Sequence, residues 1–144
     1  MASVALKIVI ATDAWKPQIN GVVTTLSHVE DYLRAQGCEV RVIHPGDFHT
    51  FALPNYKEIC VAWNVWKFAE IFESFKPDCV HIATEGPIGL AARRYLTKRG
   101  LPFTTSLHTK FPDYVNQRIG MPVSWGYAFL RWFHEPSKAT LEQA

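Results

Sequence analysis

Short apolar runs of strand character alternate with helical patterns along almost the whole chain, and that alternation narrows its fold more than any other feature. The strand-like runs are Leu6–Ala11, Glu39–Ile43, Ile59–Ala62, Cys79–Ala83 and Phe103–Leu107. After the first run, Val22, Leu26, Val29 and Leu33 fall at i, i+4, i+7 and i+11, one stripe of a 3.6-residue period. Val65, Phe68, Ala69 and Phe72 share a helical face further on, and Ile88, Ala91, Ala92 and Tyr95 share another. Strands alternating with helices predict the α/β class: a parallel sheet with helices on both faces. Lys76-Pro77-Asp78 and Arg99-Gly100-Leu101-Pro102 read as the breaks that end two helices. His44–Tyr56 has no clear period and is expected to be loop.

With 144 residues, the chain is long enough for one domain with a core of its own. It is 48% hydrophobic and 19% charged, a globular balance. A net charge of +2 is too mild to imply nucleic acid. Arg93, Arg94, Lys98 and Arg99 cluster, but cations near a helix C-terminus suit the helix dipole, and four are few for a membrane-binding patch. Cys38, Cys60 and Cys79 form no C-x-x-C pair and lie in apolar stretches, so they are expected to be buried thiols in a reducing compartment. Lys7 interrupts the first apolar run and Asp13 ends it, so no secretory signal is expected there. No stretch reaches the roughly 20 apolar residues of a membrane span. The expected location is cytoplasmic, with room for peripheral contact with a membrane. Trp125, Tyr127, Phe129, Trp132 and Phe133 crowd one short helix, Val123–Phe133, which is expected to cover a partner surface, with dimerisation as one use.

In parallel sheets the loops beyond the carboxyl ends of strands hold ligands. Here those are Thr12–Asn20, Thr84–Pro87 and His108–Lys110. The first opens a helix at Asn20-Gly21, where free N–H groups and the helix dipole favour an anion and a missing Cβ lets a ligand come close. Asn20 capping the helix and Gly21 easing the turn is the plainer alternative. The loop is neither a P-loop nor G-x-G-x-x-G. No histidine pair has metal-ligand spacing, and there is no G-x-S-x-G elbow. Among the histidines, His108 alone directly follows a strand and adjoins a loop. Glu85 with Gly86-Pro87 reads equally as a helix start.

Taken in order, the motifs Lys7-Ile8-Val9-Ile10, Pro17-x-x-Asn20-Gly21-Val22, Pro77-Asp78-x-Val80-His81-Ile82-Ala83-Thr84-Glu85-Gly86, Thr105-Ser106-Leu107-His108-Thr109-x-Phe111-Pro112-x-Tyr114-Val115 and Leu130-Arg131-Trp132-Phe133-His134 have a familiar ring. The chain resembles the amino-terminal, Rossmann-like domain of retaining GT-B glycosyltransferases, in the α-mannosyltransferase and glycolipid-synthesising branch. The resemblance runs from about Leu6 to Lys138. It implies an acceptor-side domain over residues 1–138, with 139–144 as a tail or linker to a second, donor-gripping domain that has no counterpart in this sequence. It also implies a nucleotide-sugar donor, a lipid, sugar or polyol hydroxyl as acceptor, no metal and no further cofactor, and little activity of this chain alone.

Carried over by position, the resemblance gives Gly21 a place along the donor phosphates, with Asn20 where many relatives have a second glycine. It makes His108 the catalytic candidate, bonded to the transferred sugar or bracing the reaction centre. Asp13, Glu85, Tyr114 and Arg118 are candidates for acceptor contacts. The implied chemistry needs stabilisation of a diphosphate leaving group, which then takes the acceptor's proton. A flavodoxin-like module that binds a phosphate without catalysis is the alternative. The glycosyltransferase reading expects the turn before the first helix and the imidazole of His108 to open on one crevice.

Overall fold

A computed structural model of the chain describes residues 5–16, 21–53, 56–107 and 123–142. Its strands are β1 (Lys7–Ala11), β2 (Glu39–Ile43), β3 (Thr50–Leu53), β4 (Tyr56–Ala62), β5 (Cys79–Ile82), β6 (Thr104–Leu107) and β7 (Thr140–Glu142). The α-helices are α1 (Gly21–Ala35), α2 (Lys67–Phe75), α3 (Pro87–Lys98) and α4 (Val123–His134), with one short 3-10 turn at Pro45–Asp47.

Five strands form one sheet in the order β2-β1-β5-β6-β7, every pair parallel. Parallel strands have both faces covered, and the side chains of β1 show how. Val9 and Ala11 point into a core shared with Val80, Ile82, Phe68, Phe72, Ile88, Leu96 and Phe133, so α2, α3 and α4 lie on that side. Ile10 points the other way, into a smaller cluster with Leu26, Val40, Val42 and Trp15 under α1. The expected α/β sheet with helices on both faces is therefore what forms.

Several local expectations change. Ile59–Ala62 is strand, but it belongs to β4, which pairs antiparallel with β3 in a separate two-stranded hairpin. The segment expected as loop, His44–Tyr56, thus holds the 3-10 turn and β3. In the segment 139–144, expected as tail or linker, Thr140–Glu142 adds a parallel strand beside β6. Cys79 is exposed rather than buried, because it opens β5 at the amino edge of the sheet, and Cys38 is only partly covered; both are free thiols. In α1 the buried positions are Val23 and Leu26, Val22 and Leu33 pack partly covered against the same cluster, and Val29 is exposed.

Candidate functional site

Chain order along the sheet reverses between β1 and β5. From β1 the chain passes through α1 to β2 on one side, and later returns to place β5 on the other. Loops leaving two such neighbours diverge to opposite faces and open a crevice at the carboxyl edge. The loops here are Thr12–Trp15, with α1 beyond it, and Ala83–Gly86, with α3 beyond it.

Local chemistry holds the first loop rigid. The Thr12 hydroxyl, fully buried, bonds both the N–H and the carbonyl of Ala14 (3.0 and 2.8 Å). Trp15 is buried against the α1 cluster and lies 6.3 Å, ring to ring, from His44 at the end of β2. Between them, Asp13 turns inward across the switch point. Its Oδ2 accepts from the Thr84 hydroxyl at 2.6 Å and the Gly89 N–H at 3.2 Å, and its Oδ1 accepts from the Ile88 N–H at 2.7 Å. In return the Asp13 N–H donates to the Thr84 hydroxyl at 2.7 Å.

These bonds cap helix α3 from another part of the chain. Gly86 stands at the N-cap without a side chain, and Pro87 has no N–H to offer, so Ile88 and Gly89 carry the open donors of the first turn. Asp13 takes both, with its charge at the positive end of the dipole. Burial pushes its carboxyl above the ordinary aspartate range, against the pull of the Thr84, Ile88 and Gly89 bonds. The close approach also explains two glycines. A Cβ on Gly86 would sit 2.5 Å from the Asp13 carboxyl carbon, and one on Gly89 would sit 1.8 Å from the Thr84 carbonyl oxygen.

Glu85, next along this loop, is bonded away from the crevice. Its Oε1 lies 2.9 Å from Nε2 of His134, the last residue of α4, and both side chains are largely covered. The other nitrogen of His134 lies 2.8 Å from the hydroxyl of Thr105, which also meets Thr140 of β7 at 2.7 Å. One polar chain thus runs from the β5 loop through α4 and β6 to β7. On the opposite face His81 bridges β5 to β6, with Nδ1 2.6 Å from the Thr104 hydroxyl and Nε2 against Ser106.

Of the residues expected at the site, the described structure brings Asp13 together with the loop that carries Glu85, and gives each a partner within the fold. Gly21 begins α1 in the open: it is exposed, and an added Cβ would meet nothing within 4 Å. Asn20, His108, Tyr114 and Arg118 lie outside the described residues. Thr84, Gly89, Thr105 and His134 were not singled out from the sequence as site residues, since their partners lie far along the chain. No group of three metal-ligating side chains occurs among the described residues.

The family model of glycosyltransferase family 4 matches residues 19–141, from the start of α1 into β7. The chain belongs to this family. Among curated relatives, the family 4 chain is 30% identical to an alpha-monoglucosyldiacylglycerol synthase of Acholeplasma laidlawii, over 77% of its own length and 32% of that protein. It is 23% identical to a GDP-mannose-dependent alpha-mannosyltransferase of Mycobacterium tuberculosis, over 95% of its length and 43% of the relative. A second alpha-monoglucosyldiacylglycerol synthase, from Streptococcus pneumoniae, is 25% identical over 77% of the chain and 28% of that protein. The family 4 chain therefore spans less than half the length of these relatives. No solved structure matches closely.

Proposed function

We propose that this glycosyltransferase chain forms the acceptor-side half of a retaining enzyme that moves a hexose from a nucleotide sugar to a lipid hydroxyl. The observation that carries the reading is the β1/β5 switch point in the strand order, with the exposed Gly21 opening α1 on one side and the Asp13-braced loop on the other. Membership of family 4 supplies the transfer chemistry, and the glycolipid synthases among the relatives favour a lipid acceptor.

In this reading the donor diphosphate lies along the start of α1, where Gly21 allows backbone contact and the dipole favours its charge. His108, which follows β6, holds the transferred sugar and steadies charge at the reaction centre. The departing phosphate oxygen takes the acceptor's proton as the new glycosidic bond forms, so no side chain need serve as base. Asp13 and Glu85 act by fixing the loop between β5 and α3, and Tyr114 and Arg118 face the acceptor. A second domain grips the nucleotide.

Assay of the full-length protein with UDP-glucose and GDP-mannose, on a diacylglycerol and on a soluble sugar acceptor, tests the reading. Transfer with retention of the donor's anomeric configuration, read by proton NMR of the product, is the expected result. The His108→Ala enzyme should lose about 3–4 kcal/mol of barrier lowering, the cost of an oxyanion-type donor; near-normal turnover would remove His108 from the mechanism. Micromolar affinity of the 144-residue chain alone for either nucleotide sugar, by calorimetry, would overturn the division of labour.

A further inference from the structure

The two loops that flank the β1/β5 switch point, Thr12–Trp15 and Ala83–Gly86, carry two acids, Asp13 and Glu85. Both are turned into the fold. Asp13 is taken up by Thr84 and the first turn of α3. Among the described residues Glu85 has one side-chain partner, His134, with 2.9 Å between Oε1 and Nε2; only 12% of the Glu85 side chain and 11% of the imidazole are exposed. That imidazole is itself fixed from three sides. Its Nδ1 lies 2.8 Å from the buried Thr105 hydroxyl of β6, and the Phe133 ring lies 5.0 Å from it at 69°. Arg93 of α3 holds the end of α4 by donating to the carbonyls of Trp132 and Phe133, both at 2.9 Å, with its guanidinium 3.7 Å from the Trp132 ring.

A covered acid–histidine pair is an expensive way to fill space, since apolar side chains of similar volume often serve stability as well or better. What the pair does, and an apolar pair cannot, is fix where a carboxylate lies. A carboxylate stripped of its partner leaves the interior for water, and the water nearest this loop is that of the switch point. There it would stand on the loop opposite the start of α1, a like charge to any anion drawn by that helix. Of the two acids, Asp13 is secured by its own neighbours, whereas Glu85 depends on a residue from the far end of α4.

We propose that His134 is a positioning residue that acts through Glu85: it keeps that carboxylate away from the switch point, so that the ground opposite Gly21 is open to an anionic ligand, the diphosphate of a nucleotide sugar. The inference rests on the proposed sugar transfer. It adds a residue outside both loops that sets affinity for the charged donor and leaves an uncharged acceptor unaffected. His134 needs no contact with either substrate for this.

The test is steady-state transfer by the full-length enzyme, with whichever of UDP-glucose and GDP-mannose the parent uses and an uncharged acceptor, diacylglycerol or a soluble sugar. His134→Ala empties the place of the imidazole; His134→Phe fills it without a donor, and carries the test should the alanine variant fail to fold. Either should raise KM for the nucleotide sugar roughly five- to tenfold, the effect of one like charge about 8 Å from a diphosphate in watery surroundings. KM for the acceptor should stay within about twofold. The rise should shrink as salt is added. Glu85→Gln in the His134→Phe background removes the charge and should return the donor KM to within about twofold of the parent, a repair that a mere fault of folding would not show. A donor KM that neither single variant moves, a rise that Glu85→Gln leaves in place, or an equal rise for donor and acceptor would each overturn the proposal. A parent that transfers no sugar from either donor overturns the enzymatic reading and this inference with it, whereas transfer by the parent with an unmoved donor KM in the variants overturns this inference alone.

Discussion

At the residue scale the crevice is organised by one carboxylate and the glycines around it. Asp13→Ala leaves the Ile88 and Gly89 amides without their acceptor, which should cost about 1–3 kcal/mol of stability in urea unfolding. Asp13→Asn should cost less, since the amide oxygen still accepts one of these bonds. The two also differ with pH. Burial raises the Asp13 pKa, so the folded state holds this proton more firmly than the unfolded chain does. That contribution is full below the ordinary aspartate value near 3.8 and is lost as pH rises through the raised value. The gap between parent and Asp13→Asn should therefore be wider in mild acid than at neutrality, and an unchanging gap across that range would refute it. Glycines divide by what surrounds them. Gly89→Ala drives a methyl into the Thr84 carbonyl and should cost about 1–3 kcal/mol or more. Gly21→Ala meets nothing and should leave the melting temperature unchanged or slightly raised. If the start of α1 serves the donor, that same neutral change raises the KM for the nucleotide sugar in the full-length enzyme.

At the scale of elements, the corner after β2 is a compact unit. The N–H of His44 donates to Asp47, whose carboxylate also takes two bonds from Arg41, while Nδ1 of His44 accepts from Gly46. Burial lowers the His44 pKa, so the folded state resists its charging. Its contribution is complete above the ordinary value near 6.5 and fades as pH falls from there through the lowered one. A His44→Gln chain should show a flatter stability profile across that window, measured by urea midpoints. The elements also show what a sequence of this kind reveals. Strands β1, β2 and β5 and the first three helices follow from periodicity, because each buries an apolar face, while β6 was read only from the short run after the Arg99–Pro102 break. β3 and β7 do not: Thr50–Leu53 and Thr140–Glu142 are three or four residues long, mixed in polarity, and take their shape from a neighbour. The separate hairpin of β4 was equally hidden, since an apolar strand does not announce which partner it will find. Asp13 was legible as a loop acid of interest, but its role rests on residues more than 70 positions away. Thr105 and His134 were invisible for the same reason. A chain cut after Lys138 should lose β7 and with it the Thr140 hydroxyl bonded to Thr105, costing about 1–3 kcal/mol in denaturant unfolding; an unchanged midpoint would make β7 incidental.

Across the whole molecule, the sheet's two margins are treated differently. In β2 the Glu39 N–H and the Ile43 carbonyl point inward to β1, so the carbonyls of Val40 and Val42 face outward. Both are taken by guanidinium groups, Arg34 to Val40 at 2.8 Å and Arg41 to Val42 at 2.6 Å. Open acceptors on a margin invite another strand, and arginines laid over them refuse it. Replacing Arg34 and Arg41 by alanine should make the protein associate as concentration rises, seen by light scattering, whereas persistent monodispersity would show the two side chains to be idle. The sheet is therefore a ladder sealed along one rail. Any growth of it, by a further piece of polypeptide or by a misfolded neighbour, is steered to the far side, beyond β7.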